Sequence, residues 1–366
     1  MGKKIIVLFL GKNPPPYYGV SIWFEQLQAA QWPADYEILW FHNGIHKSIT
    51  TIGTTGILSF YRHICLHFKY LLFLLKHKPG IIVIPISQSF VGYVKDSVYI
   101  LLSCLFKGKT LVMLHGSNLK TWLSTSHHLI RAYFRITLKS CSGAIVLSEK
   151  LKYIFEDYFP TEKIFAVPNG LNFDLPLQKE SKNKTPVLCY LGNLYISKGV
   201  EDIIQSLILL SRAGIDYKMI FIGGWGDNET RVVCEKLVKE NNLNVEFVGV
   251  KTGKEKYAVL NLSDIFIFTP NKPEGLPYVI LEAMALGLPI ISTNQGAITD
   301  AVIHNRNGYI VESGKVDSIY QGIRDLIKEP HLRNTMGSNS RILYEKYFTA
   351  EKMIEDFVKT FQSIIR

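Results

Sequence analysis

No stretch of this chain reaches the roughly eighteen consecutive apolar residues that a membrane-spanning helix needs, although hydrophobic residues make up 47% of its 366 positions. The opening MGKKIIVLFLGKNPPP has a basic start, but its apolar run covers only Ile5 to Leu10. A short buried strand is expected there in preference to a secretory leader. Cysteine is sparse. Cys65, Cys104, Cys141, Cys189 and Cys234 are scattered, odd in number and form no CxxC pair. That argues against a disulfide framework or a zinc site and for reduced thiols in a cytosolic protein. No cluster of His, Cys and carboxylates has metal-ligand spacing, so no metal is expected. There is no zinc knuckle, RNP-like aromatic strand or other nucleic-acid module, so nucleic acid is not an expected partner.

Acidic residues are scarce in one half only. Residues 1–170 carry 18 Lys+Arg against 8 Asp+Glu, whereas residues 171–366 carry 23 of each. The whole net charge of +10 therefore lies in the first half. Such asymmetry fits a half that meets an anionic surface or substrate, and it equally fits a passive basic surface.

What is present in quantity is an alternation of apolar runs with helix-compatible stretches. KIIVLFL (4–10), YEILWF (36–41), GIIVIPI (80–86), TLVMLHG (110–116), GAIVLS (143–148) and IFAVPNG (164–170) read as strands. A second series follows: VLCYLG, KMIFIGG, VEFVGV, DIFIFTP, PIIST and GYIV. Continuous apolar strands separated by helices predict parallel sheets covered on both faces. Between the series, PLQKESKNKTP (176–186) is polar, charged and bounded by prolines, as a linker would be. The reading is α/β with two Rossmann-like parallel-sheet domains facing each other across a cleft. Residues 1–175 form the first domain, 187–345 the second, and 346–366 a terminal helix that packs back on the first. In that helix Ile354, Phe357, Val358, Phe361, Ile364 and Ile365 share a helical spacing. Ligands in such folds sit beyond the carboxyl ends of the strands, so chemistry is sought in post-strand loops.

KPEGLPYVILEAMALGLPII (272–291) is one such segment. Glu274 falls in the loop after DIFIFTP, Pro277 suits the first turn of a helix, and Gly287 suits its end. Glu282 falls in the second turn, with Tyr278 and Ala285, on a face other than that of the core-directed Ile280, Ala283 and Met284. Gly275 permits close backbone approach, and the helix start offers free N–H groups to a phosphate. FIGGWGD (221–227) resembles half of a dinucleotide fingerprint, but the third glycine position is Glu229, so a nucleotide-proximal or merely tight turn is the better reading.

Glu274-x7-Glu282 resembles the EX7E signature of retaining glycosyltransferases of family GT4, which have the GT-B fold. LGNLYISKG (191–199) is similar to that family's strand–loop–Lys-Gly element, FIGGWGD to its glycine-rich turn, and VPNGLN (167–172) to the turn ending its first domain. His115-Gly116 and the Pro-rich loop ending at Gly19 resemble its first-domain elements. The resemblance implies transfer of a sugar from a nucleotide-sugar donor, UDP- or GDP-linked, to an acceptor hydroxyl with retention. It implies Lys198 on the donor diphosphate, Glu274 on the donor-sugar hydroxyls, Glu282 on the ribose and His115 as a hydrogen-bond partner of the sugar. Gly19, Asn193, Gly224, Val250, Gly275 and Leu276 complete the implied donor site. No separate cofactor, and no protein nucleophile, is implied. The absence of any Asp-x-Asp argues against the metal-dependent architecture and for metal independence.

Two departures stand out. Asn193 occupies a place where many relatives carry Arg, with Arg306 as a spare candidate for the missing charge. Tyr17-Tyr18-Gly19-Val20 lacks a double glycine. The family and the charge asymmetry together imply a lipid-linked saccharide acceptor in bacterial surface-polysaccharide assembly (capsule, O-antigen, lipopolysaccharide or exopolysaccharide). They place the protein in the cytoplasm, at the anionic inner face of the cell membrane. FYRHICLHFKYLLFLLKHK (60–78) reads either as a buried helix or as an interfacial helix on anionic lipid. A sugar-nucleotide 2-epimerase on the same fold, and a non-catalytic membrane- or polyanion-binding protein, are the alternatives.

Overall fold

The computed structural model describes residues 4–44, 57–106, 108–173 and 185–365. Each of the twelve apolar runs forms a strand. β1 (Ile5–Gly11), β2 (Tyr36–His42), β3 (Ile81–Pro85), β4 (Lys109–Met113), β5 (Gly143–Val146) and β6 (Ile164–Ala166) make one sheet, in the order β2-β1-β3-β4-β5-β6. β7 (Val187–Leu191), β8 (Lys218–Ile222), β9 (Val245–Phe247), β10 (Ile265–Phe268), β11 (Ile290–Thr293) and β12 (Gly308–Val311) make the other, in the order β12-β11-β10-β7-β8-β9. All pairings between these strands are parallel. Central strands such as β7, buried at all five positions, lie between two helical layers, which is why their sequences are continuously apolar.

The helices of the first series are α1 (Gly19–Ala29), α2 (Ile57–His77), α3 (Phe90–Cys104), α4 (Leu119–Thr125) and α5 (His128–Lys139). Those of the second are α6 (Val200–Arg212), α7 (Asn228–Glu240), α8 (Gly253–Asn261), α9 (Tyr278–Ala285), α10 (Ile298–Ala301), α11 (Val316–Lys328) and α12 (Pro330–Tyr347), followed by α13 (Ala350–Ile365). The chain divides into two compact units, Met1–Asn172 with Ala350–Arg366 and Phe173–Thr349. Of the polar 176–186 segment, residues 176–184 lie outside the described residues. Residues 346 and 347 finish α12, and the terminal helix itself starts at Ala350.

In each sheet the strand order reverses once, between β1 and β3 and between β7 and β10. With right-handed crossovers, the first reversal sends α1 to one face of its sheet and α2, α3 and α5 to the other. α2 packs on α3, α3 on α5, and α1 on α13, in keeping with that division. α13 seals its face with aromatic rings. Phe357 meets Phe9 of β1 edge-on at 5.3 Å, and Phe361 stacks on Trp32 at 6.3 Å. Of the six apolar residues expected to face inward, Ile354, Phe357 and Phe361 are buried, but Ile365 is exposed at the fraying end. Leu171 also accepts a hydrogen bond from the Ala350 N–H at 3.1 Å, which fixes where α13 starts. The five cysteines are free thiols.

Phe357 is fully buried in this cluster, so Phe357→Ala should cost the first unit about 3–5 kcal/mol. Four of the five tryptophans belong to that unit, so denaturant unfolding followed by tryptophan fluorescence should show the lowered midpoint. An unchanged midpoint would mean that α13 is not part of the core.

Candidate active site

The reversal between β7 and β10 opens two loops side by side at the carboxyl ends of those strands. The loop after β7 runs through Asn193 to a short 3-10 turn, Ile196–Lys198, and Gly199 is the N-cap of α6. Gly199 has φ +81°, and a Cβ there would lie 2.1 Å from the carbonyl oxygen of Thr269 in the loop after β10. Only glycine lets the two loops approach this closely. Asn271 then bridges them, its N–H donating to the Ser197 carbonyl at 3.1 Å and its side chain to the Ile196 carbonyl at 3.2 Å. The result is an ion pair between Lys198 Nζ and Glu274 Oε1, both half-buried. Beneath it, burial first and the Glu274 charge second push the Tyr190 phenol well above its usual range. The Tyr190 hydroxyl donates to the Asn193 carbonyl at 3.0 Å.

The Glu274 loop is fixed from its other side. Gly296 has φ +55°, and a Cβ there would meet the Glu274 carbonyl at 1.8 Å. The Ala297 N–H donates to the Gly275 carbonyl at 3.0 Å, and Thr293 Oγ1 donates to the Pro270 carbonyl at 2.6 Å. Pro277 is the N-cap of α9, one position earlier than its sequence suggests. Leu276 is buried behind the loop.

Glu282 differs from expectation. α9 has no exposed face, and Glu282 is itself buried, with only 3% of its surface accessible. The reason is packing on both sides: α9 lies against β11 and is covered by α12. Burial of a carboxylate requires a partner, and α8 supplies two. Lys256 Nζ pairs with Glu282 Oε1, and the Tyr257 hydroxyl donates to the same oxygen at 3.1 Å. The Tyr278 hydroxyl is buried without a hydrogen-bond partner among the described residues, and burial followed by the Glu282 charge raises its pKa. Nothing in the sequence marked Lys256, Tyr257 or Gly296, because each reaches the site through a crossover connection and not through a local motif.

The glycine-rich turns join this framework. The Leu194 N–H donates to Gly224 O at 2.8 Å, the Gly226 N–H to Leu194 O at 3.0 Å and the Gly223 N–H to Gly249 O at 2.9 Å. A Cβ on Gly223, whose φ is +154°, would lie 1.9 Å from Gly192 O. The loops after β7, β8 and β9 are thereby tied together, with Gly224 beside the exposed Val250. Asp227 ends the FIGGWGD turn by capping α7, its carboxylate accepting from the Thr230 N–H at 2.7 Å. Arg306 precedes β12 and so lies at the amino end of its strand, at the opposite edge of the sheet from these loops.

Gly19 and His115 belong to the first unit. Gly19 opens α1 with its would-be Cβ facing open space. The preceding turn is closed by Ser21, whose hydroxyl accepts from the Tyr18 N–H at 3.0 Å and donates to the Pro16 carbonyl at 2.8 Å. His115 follows β4 and meets the Trp23 ring edge-on at 4.6 Å. Both of its ring nitrogens are buried, and neither has a hydrogen-bond partner among the described residues. Burial pushes the imidazole pKa down to about 3. A neutral imidazole with two unanswered nitrogens is suited to hydrogen-bonding a polar ligand and poorly suited to carrying a charge.

Residues 174–343 match the family model for glycosyl transferases group 1. The capsular polysaccharide biosynthesis glycosyltransferase CapM of Staphylococcus aureus is 27% identical over 266 residues, covering 69% of each chain. Among solved structures, sucrose-phosphate synthase of Thermosynechococcus elongatus superposes with a TM-score of 0.75 at 16% identity, covering 99% of both chains. HepE of Anabaena, solved with UDP, superposes at 0.73 and 17% identity over 98% of this chain and 100% of that one.

Two outcomes follow from the geometry. Lys256→Met strands a buried carboxylate and should destabilise the second unit by about 3–5 kcal/mol, while Lys256→Met with Glu282→Leu should recover most of that loss in denaturant unfolding. A loss in the double variant equal to the sum of the two single losses would show that the pair is not coupled. His115 should stay neutral from pH 8 to pH 5 in an NMR titration. Its folded pKa lies below the unfolded value of about 6.5, so the stability it contributes is present above pH 6.5 and is lost as pH falls toward 3. Titration near 6.5 would contradict its burial.

Proposed function

We propose that the chain, whose residues 174–343 match the group 1 glycosyltransferase family and whose two Rossmann-like sheets form the GT-B fold, is a member of that family that transfers a hexose from a UDP- or GDP-sugar to an acceptor hydroxyl with retention at the anomeric carbon. The observation that carries this reading is the Lys198–Glu274 pair at the strand-order reversal of the second sheet. A nucleotide sugar brings two phosphate charges, and cleavage of its anomeric bond adds negative charge to the departing diphosphate. Lys198 neutralises that charge as it develops, which is the kind of electrostatic stabilisation that most often dominates catalysis. Glu274, held by the Gly296 contact behind it, grips the sugar hydroxyls and sets the anomeric carbon against the acceptor. Glu282, with one oxygen occupied by Lys256 and Tyr257, offers its other oxygen to the ribose. His115 gives the donor sugar a neutral hydrogen-bonding partner. Gly19, Asn193, Gly224, Val250 and Gly275 supply backbone and close approach to the nucleotide. The departing diphosphate takes the acceptor proton, so no protein nucleophile is needed. Lysine does the work that a divalent metal does elsewhere, and no cofactor joins the donor.

The acceptor in this reading is a lipid-linked saccharide in surface-polysaccharide assembly, met at the cytoplasmic face of the membrane. The capsular assignment of CapM and the +10 net charge of residues 1–170 support it.

A thermal-shift screen over UDP- and GDP-sugars tests the donor. The matching donor at a hundredfold excess over its Kd should stabilise the protein by about 2.7 kcal/mol, without added metal, and Lys198→Met should remove the shift. No shift with any nucleotide sugar, or one that Lys198→Met leaves intact, would overturn the assignment.

A further inference from the structure

α2 buries one side against its sheet and α3, with Tyr70 and Leu74 wholly covered. Its opposite side is not polar. Tyr61, Ile64, Phe68, Leu72 and Leu75 follow one another at three- and four-residue intervals, which is a single helical stripe, and are 49–64% exposed. Beside that stripe run Arg62, Lys69 and Lys76, spaced by seven and all exposed. The neighbouring helix repeats the pattern. Val91, Val94 and Leu101, with Leu105 just past the end of α3, form a second outward stripe that is 38–76% exposed. The two helices lie side by side, joined by Tyr70 and Ser103 hydroxyls at 2.6 Å and by His67 Nε2 and the Lys95 carbonyl at 3.2 Å. Single exposed apolar residues are ordinary, but two adjacent stripes on one face are a contiguous patch of the kind that marks an interaction surface.

Charge decides the partner. From residue 38 to residue 148 the chain has one acid, Asp96, and it is buried, accepting from the Ser87 N–H at 2.8 Å and pairing with Lys95 at 3.1 Å. Among the described residues no ion pair joins a carboxylate to Arg62, Lys69 or Lys76, or to the exposed Arg131, Arg135 and Lys139 of α5 on the same side of the sheet. A second copy of this chain would set like charges against one another. An anionic bilayer answers both features: its headgroups meet the basic column and its acyl boundary takes the apolar stripe. We infer that the outward faces of α2 and α3 are the surface on which this protein docks to an anionic lipid bilayer. The inference deepens the membrane-facing acceptor of the reading above and needs none of the sugar chemistry.

Vesicle co-sedimentation of the full chain, without donor, tests it. The protein should bind phosphatidylcholine–phosphatidylglycerol vesicles, release with salt, and bind pure phosphatidylcholine weakly. At about fivefold per charge, Arg62→Gln with Lys69→Gln and Lys76→Gln should weaken binding to the anionic vesicles roughly a hundredfold. Phe68→Gln with Leu72→Gln, both at exposed positions, should weaken it while leaving the melting temperature unchanged. The donor thermal shift should persist in both variants, so loss of that shift in the parent protein counts against the sugar chemistry and not against the docking face. Binding that neither set weakens would overturn the docking face, as would a dimer in solution that Phe68→Gln with Leu72→Gln dissolves.

Discussion

Lys198 and Glu274 stand 76 residues apart in the chain and are brought together by one topological fact, the reversal of strand order between β7 and β10. Parallel strands on either side of a reversal leave their following loops to diverge, which is why such points collect ligands. Here the loops are drawn together again: Gly199 lets the two backbones approach, Asn271 bridges them, and Gly296 presses the Glu274 carbonyl from behind. A half-buried lysine and carboxylate held this way keep each other oriented when no ligand is present. In the proposed reading, donor binding gives the cation the diphosphate as a partner and the anion the sugar hydroxyls. In that reading the pair is preorganised for two opposite demands of one substrate.

The second acid of the segment is held by a different device. Glu274 lies half-buried on a loop, whereas Glu282 is buried within a helix with no solvent face. That burial would be costly for an isolated carboxylate, so α8 contributes a cation and a phenol to one oxygen. The eight-residue spacing therefore separates two environments. One carboxylate is paired with a single cation on a loop, and the other is held by a cation and a phenol inside a helix layer.

Much of this was legible in the residues. The inner strands were visible because strands covered on both faces are continuously apolar, as Val187–Leu191 and Ile265–Phe268 are. Glu274 in a post-strand loop, the helix after Pro277 and the glycine turns were also legible, since each depends on local chain chemistry. The burial of Glu282 was not, because it depends on α12, more than forty residues further on, and on Lys256 from the preceding crossover. Gly296 was invisible for the same reason: what makes it necessary is the Glu274 carbonyl, not its neighbours in sequence. For α2 the residues left two readings, and the fold accommodates part of each. One side is core, and the opposite side is apolar but exposed.

The most direct measurement of the central claim is a double-mutant cycle on transfer, following nucleoside diphosphate release from the donor in the presence of a saccharide acceptor with Lys198→Met, Glu274→Gln and both together. If the two residues act as one unit on the donor, each single change should cost roughly a hundredfold or more in rate, and the double variant should be little slower than the worse single one. Losses that simply multiply, or near-normal transfer in either single variant, would contradict the account.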